Sequence, residues 1–341
     1  MKTFITGGTG LLGANIIREL ILRGHKVKAL VRRGSDLSGI KGLDIDLFEG
    51  DLSDEQNLYK GCKGFDNVIH AAAQTPCGFT RFLDYTDTNI RGTQNMVRAA
   101  ERANITRMVY VSSCCTFGGG SKECPGTELS EFTGFRFNSG YINSKYLAQQ
   151  WVLAEIEKKR LPIVIVNPAI MIGPYGSHPG PCEMILKLIR QQIRFCPNGG
   201  KNFIDVRDVA IATCNSLTRG IIGECYLLAA HNLSNAEFYN KVTGVFGKAG
   251  HKIAVPGFIF NTLGLTGNFI SLLTQKDVAF NYTSSRQLTS ESYFSGGKAA
   301  RVLGLPQLPI DNAIHDSLAW HINKYNLINN DLQASFTIDS A

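Results

Sequence analysis

The sequence predicts an α/β fold: a doubly wound parallel sheet of the Rossmann type with a smaller, partly discontinuous C-terminal lobe. Two observations carry this prediction. Short β-branched runs alternate with helical patterns from the N-terminus to about residue 166, which implies a parallel sheet covered on both faces. A glycine-rich turn, Thr6-Gly7-Gly8-Thr9-Gly10-Leu11-Leu12-Gly13, lies between the first run and the first helical pattern, where such a turn has physical meaning.

The elements follow in order. Lys2–Thr6 reads as an apolar strand, 11–23 as a helix and Lys26–Val31 as a second strand. Asp46–Glu49 is a third strand, followed by a helix from about Asp54 that a Ser53/Gln56 capping box would open. Asn67–His70 is a strand, 88–102 a helix, 107–112 a strand and 141–159 a long helix. Residues 162–166, Pro-Ile-Val-Ile-Val, lack any charge, as a central parallel strand should. Residues 173–181 look loop-like, 182–192 helical, and 203–210 like a return to the sheet. The expected division is 1–170 for the nucleotide-binding domain, with a return segment at about 203–228, and 171–202 plus 229–341 for the substrate lobe.

Composition excludes several classes. The 341 residues are 44% hydrophobic and 18% charged, ordinary for a globular enzyme. A net charge of +7 suits anionic ligands, but the basic residues are scattered, and no nucleic-acid partner is expected. Nine cysteines without CxxC pairs or zinc spacing point to reduced thiols, no metal and a cytoplasmic protein, and the N-terminus lacks a secretory pattern. Residues 253–275 carry no charge between Lys252 and Lys276, but Pro256, Gly257, Asn261, Gly264, Gly267 and Asn268 interrupt them. A buried lid or pocket element is expected there rather than membrane contact.

In the turn, glycine takes positive φ and lets the backbone approach a pyrophosphate at a helix N-terminus. Gly7, Thr9, Gly10, Leu11, Leu12 and Gly13 are therefore the candidate phosphate-binding residues. The second strand ends Val31-Arg32-Arg33, without the acid that would accept from the ribose hydroxyls of NAD. Arg32, with Arg33 second, would instead grip a 2′-phosphate, which favours NADP(H) over NAD(H). The alternative, two solvated arginines, is disfavoured by the missing acid. Asp51, followed by Leu52, stands where a carboxylate could accept from the adenine amino group.

Tyr141 and Lys145 lie four apart on one helical face, so a lysine ammonium could lower the phenol pKa and let Tyr141 exchange a proton with a carbonyl oxygen. Ser112-Ser113-Cys114-Cys115 ends the fifth strand, at the edge where doubly wound sheets place ligands. Together with HAAA at 70–73, NPAIMIGP at 167–174 and NFIDVRDVA at 202–210, these motifs resemble the extended short-chain dehydrogenases/reductases, the NAD-dependent epimerase/dehydratase superfamily, over nearly the whole chain. The resemblance is nearest to the dihydroflavonol-reductase-like and 3β-hydroxysteroid-dehydrogenase-like branches.

That resemblance implies a catalytic trio of Ser113, Tyr141 and Lys145, with Tyr141 and Lys145 also meeting the cofactor and Lys145 holding the nicotinamide ribose. Ala71, Ala72 and Ala73 would pass along the cofactor, and Pro168, Ala169 and Ile170 would flank the nicotinamide. Asn89 matches a position that is structural more often than catalytic. Dehydratases of the family carry an acidic pair where this chain has Cys114-Cys115, so dehydration is not expected. The implied function is NADP(H)-dependent reduction or oxidation of a carbonyl or alcohol on a hydrophobic small molecule, in a homodimer, with 257–273 walling the pocket. The alternative is a nucleotide-sugar epimerase, for which Lys187, Arg190, Arg194, Lys201 and Arg207 would supply cations. A non-catalytic NADP-binding redox sensor is a third reading, and the intact trio argues against it.

Overall fold

A computed structural model describes residues 1–75, 81–178, 180–190, 193–247, 251–274 and 281–325. The N-terminal half runs β1 (Lys2–Thr6), α1 (Leu11–Leu22), β2 (Lys26–Val31), β3 (Asp46–Glu49), α2 (Glu55–Cys62), β4 (Asn67–His70), α3 (Phe82–Tyr85), a π-helical stretch (Thr86–Arg91), α4 (Gly92–Arg102), β5 (Arg107–Val111) and α5 (Gly140–Lys159). After β6 (Ile163–Pro168) come β7 (Ile170–Ile172), α6 (Pro181–Arg190), β8 (Ile193–Pro197), β9 (Gly200–Asp205), α7 (Val206–Arg219), β10 (Cys225–Leu228), β11 (His231–Ser234) and α8 (Asn235–Val245). The chain closes with β12 (His251–Val255), α9 (Gly257–Thr274), α10 (Tyr282–Thr289), β13 (Glu291–Ser292), α11 (Gly297–Leu303) and α12 (Ile310–Tyr325).

Seven parallel strands form the main sheet in the order β3-β2-β1-β4-β5-β6-β10. The chain builds outward from β1 to β3, then crosses to β4 on the other side, which opens a crevice at the carboxyl ends of β1 and β4. Side chains alternate across the pleat. Ile5, Val164 and Val166 join a core with α1 and α7, while Phe4, Ile163 and Ile165 join the opposite core with α2, α4 and α5. Burial on both faces is why the central strands β5 and β6 are apolar along most of their length. A second sheet orders β11-β9-β13 with β7 beside β9, and β8 pairs with β12 separately.

Three expectations need correction. Residues 203–210 are not a return to the main sheet: β9 belongs to the second sheet and ends at Asp205, whose carboxylate accepts from Arg207 N at 2.8 Å and caps α7. The returning strand is β10. The cap of α2 is Asp54, which accepts from Asn57 N at 2.9 Å, while Ser53 turns its hydroxyl to Asp51 at 2.7 Å instead. Residues 253–267 are not a buried lid, because Ile253, Phe258, Ile259, Leu263 and Leu265 are all exposed, and glycine and asparagine do not interrupt α9; the side chains of 268–274 lie outside what the structure describes. Residue 275 lies outside the described residues.

Ile165 is fully buried in β6 between Tyr110 of β5 and Cys225 of β10. Ile165→Ala is expected to lower the free energy of unfolding by about 2–5 kcal/mol through lost contacts and a cavity. A urea midpoint unchanged from wild type would contradict this placement of the core.

Candidate active site

The glycine turn closes on itself and on β4. Gly7 holds φ at +76°, and a Cβ there would stand 2.6 Å from Ala72 N. At Gly13 a Cβ would stand 2.0 Å from Gly7 O, so any side chain would force turn and helix apart. Gly10 N donates to Gly7 O at 3.0 Å, and Gly10 caps α1 without offering a side chain to its first N–H groups. The turn and the Ala71-Ala72 backbone thus form one bare surface at the end of β1, with half-buried Thr9 and Leu11 beside it and Leu12 turned into the core.

Ser113 leaves the end of β5 in extended conformation and caps the short 3₁₀ turn Cys114–Thr116, its hydroxyl accepting from Cys115 N at 3.4 Å. The same hydroxyl lies near the Tyr141 phenol and favours its ionised form. Ser112, in contrast, is buried and extends the sheet through its amide to Val166 O at 2.8 Å, which explains why Ser113 is the serine that meets the tyrosine. Lys145, one turn along α5, is 2% exposed and donates to Val111 O at 2.9 Å. Tyr85 packs edge-on against the Tyr141 ring, with centroids 5.9 Å apart.

Burial, not the ammonium, governs both titrations. The Tyr141 phenol is pushed above its ordinary value by burial and by the neighbouring Cys115 thiol, with the Ser113 hydroxyl opposing. Lys145 is pushed down to about 8 by burial. The expected lowering of the phenol by Lys145 is therefore overturned: the lysine is spent on Val111 O, and desolvation of the phenolate outweighs it. Burial also raises the Cys114 and Cys115 thiols, which keeps them protonated at neutral pH.

Three buried side chains that sequence patterns did not single out anchor the trio. Asn167 Nδ2 lies 2.6 Å from Gln149 Oε1, 3.0 Å from Thr116 Oγ1 and 3.1 Å from Ser113 O. Gln149 stands one further turn along the face of Tyr141 and Lys145, so helical spacing could have found it; the contacts with Thr116 and Asn167 are long-range. Asn89, in the π-helical stretch, bonds both main-chain groups of Gln74 and donates to Ser144 Oγ at 3.0 Å, a tie between the segment after β4 and α5.

The remaining predicted residues line the same carboxyl edge. Arg32 and Arg33 are exposed at the end of β2. Asp51 is exposed after β3, and Ser53 hydrogen bonds, helped by the charge of Arg32, hold its carboxyl below the usual range. Leu52 is buried against the backbone of α4 at Gly92. Ala73 is half-buried beyond Ala72, Pro168 ends β6, Ala169 N donates to Leu228 O at 3.0 Å, and Ile170 opens β7. Among the described residues, no cluster of histidine, cysteine or carboxylates could hold a metal.

Comparison with known proteins matches this geometry to a family and to relatives along the chain. The model of the NAD dependent epimerase/dehydratase family matches residues 3–229. A protein of Synechocystis sp. named as a dihydroflavonol 4-reductase is 32% identical over 325 residues, covering 94% of each chain. Sterol demethylase protein B of Methylococcus capsulatus is 29% identical over 325 residues, covering 94% of this chain and 98% of its own. The crystal structure of gox2253 aligns with a TM-score of 0.85 at 29% identity, covering 96% of this chain and 99% of that one.

A buried lysine with a depressed pKa leaves a signature in stability. Below pH 8 it is charged in both states and the folded protein bears the burial penalty; between about 8 and 10.5 only the unfolded chain binds the proton, so stability rises with pH. From pH 7.5 to 10 the wild-type protein should gain about 2 kcal/mol relative to Lys145→Met. Equal slopes of unfolding free energy against pH would refute a desolvated Lys145.

Proposed function

The chain belongs to the NAD dependent epimerase/dehydratase family and is an NAD(P)-dependent oxidoreductase of the extended short-chain type, and we propose that it reduces a ketone or aldehyde on a hydrophobic molecule with NADP(H). The observation that carries the proposal is the convergence of Ser113, Tyr141 and Lys145 at the sheet edge that the bare glycine turn shares.

The residues present suit a dinucleotide. Gly7 and Gly13 let turn, helix and the backbone after β4 close on one another, and at Gly10 a Cβ would meet only Gly7 O at 3.4 Å, so the N-terminus of α1 stands open. In this proposal Gly7, Thr9, Gly10, Leu11, Leu12 and Gly13 receive the phosphates, and Ala71, Ala72 and Ala73 follow the backbone. Asp51 and Leu52 bound the adenine, and Arg32, with Arg33 beside it, meets a 2′-phosphate. Pro168, Ala169 and Ile170 bound the nicotinamide. Bound there, the dinucleotide supplies a hydride to the carbonyl carbon.

Ser113 Oγ would orient the carbonyl oxygen by donating to it, and Tyr141 Oη would deliver the proton that completes the alcohol. Burial keeps the proton on Tyr141 at neutral pH, which is the state a donor needs. Lys145 would place a positive charge behind the phenol as it loses its proton. The names of the two relatives, a dihydroflavonol reductase and a sterol demethylase protein, point to apolar ring systems as substrates.

Thermal-shift titration should give a larger shift with NADPH than with NADH, and Arg32→Glu should weaken NADPH binding about tenfold or more while sparing NADH. Equal shifts in the wild-type protein would remove the 2′-phosphate assignment. In a panel of apolar ketones and aldehydes, turnover should consume NADPH stoichiometrically. Tyr141→Phe should keep the NADPH shift and lose about two orders of magnitude in turnover. A Tyr141→Phe enzyme with wild-type turnover would take the phenol out of the reaction.

A further inference from the structure

The helix α9 is built inside out. Its sequence, GFIFNTLGLTGNFISLLT, has no charge, and two glycines and an asparagine face α10: Gly264 and Gly267 are buried, and Asn261 Oδ1 accepts from Ser285 Oγ at 3.2 Å and from Thr289 Oγ1 at 3.4 Å. A Cβ at Gly264 would stand 2.5 Å from Ser285 Oγ, so α10 lies directly on the bare backbone of α9. Among the described side chains, Phe258 is 70% exposed and Leu263 and Leu265 are each 53% exposed. A helix bordering water shows the reverse arrangement. Packing through small residues and short polar contacts, with large apolar residues outward, is how helices pack against one another when lipid surrounds them.

The surroundings share one sign of charge. Beside this face lie α10, the 3₁₀ turn Gly134–Phe137 that contacts it, and β12, which leads into α9; they contain Arg286, Arg136 and exposed Lys252 but no aspartate or glutamate. Arg286 Nη1 donates to Arg136 O at 3.4 Å, which joins α10 to that turn. The turn leads through Asn138 and Ser139 into α5 and Tyr141, so this face adjoins the candidate active site. Exposed Phe195 and Ile253, register partners on β8 and β12, extend the apolar surface.

We propose that the outward face of α9, rimmed by these cations, docks on the surface of an anionic lipid bilayer. The apolar side chains enter the headgroup boundary while arginine and lysine meet lipid phosphates. Among the described residues no helix is long and apolar enough to cross a membrane, so the contact lies along the interface.

The test uses the full chain with vesicles of phosphatidylcholine alone or mixed with phosphatidylglycerol. The wild-type protein should float with the mixed vesicles and be released by high salt. Phe258→Asp/Leu263→Asp should bind them about tenfold more weakly or worse, with an unchanged NADPH thermal shift reporting an intact fold. Leu263→Trp should show blue-shifted emission on adding mixed vesicles. A wild-type protein that stays in solution, with no emission shift in Leu263→Trp, overturns the proposal. So does a wild-type dimer in sedimentation equilibrium that the double aspartate variant splits without any vesicle binding, since the face would then join two copies of the chain.

Discussion

The arrangement at the candidate site depends on locking α5 to the ends of β5 and β6. Tyr141 and Ser113 come from different elements and meet only if the helix holds one rotation and one height above the sheet. The Gln149, Asn167 and Thr116 cluster sets both: all three side chains are buried, and Asn167 Nδ2 sits within 3.1 Å of Gln149, Thr116 and the Ser113 carbonyl. Sliding or turning the helix would leave a buried amide unpaired, at a cost of about 1–3 kcal/mol for each orphaned group. One cluster therefore positions the hydroxyl through its own backbone and the phenol through its helix.

A second lock holds the glycine turn. His70 is fully buried at the end of β4, with Nδ1 2.7 Å from Thr6 Oγ1 and Nε2 3.1 Å from Thr93 Oγ1. Thr93 uses its hydroxyl proton on Asn89 O at 2.8 Å, so it can only accept from His70, and Nε2 must carry the hydrogen. Nδ1 then accepts from Thr6. Burial pushes the imidazole down to about 3, so it stays neutral and satisfies one donor and one acceptor. β1, β4 and α4 are joined at the point where the turn begins, and a charged ring there would break one of the two bonds.

The sheet was legible because short strand-forming runs alternate with helical patterns, and β1, β2, β3 and β4 fall on the residues that this alternation predicts. The spacing of Tyr141 and Lys145 on one helical face was legible for a similar reason. Two features were not. The boundary between β9 and α7 has no glycine or proline to announce it, since Asp205 both ends the strand and caps the helix. The direction of the Tyr141 shift depends on how much water the fold removes and on two thiols brought in by the β5 end, neither of which helical spacing contains.

Glycine shows the same limit from the other side. At Gly7 the residue is required for a positive φ and a backbone contact, and the pattern around it announces that requirement. At Gly264 the φ is helical and the requirement is proximity to α10 alone, so a propensity argument counts it as a helix breaker costing about 1 kcal/mol. The fold offsets that cost by bringing two backbones together. Propensity scales measured on isolated peptides contain no close approach of a second backbone. α9 meets its neighbour with its smallest residues instead, and the sign of the inference from glycine reverses.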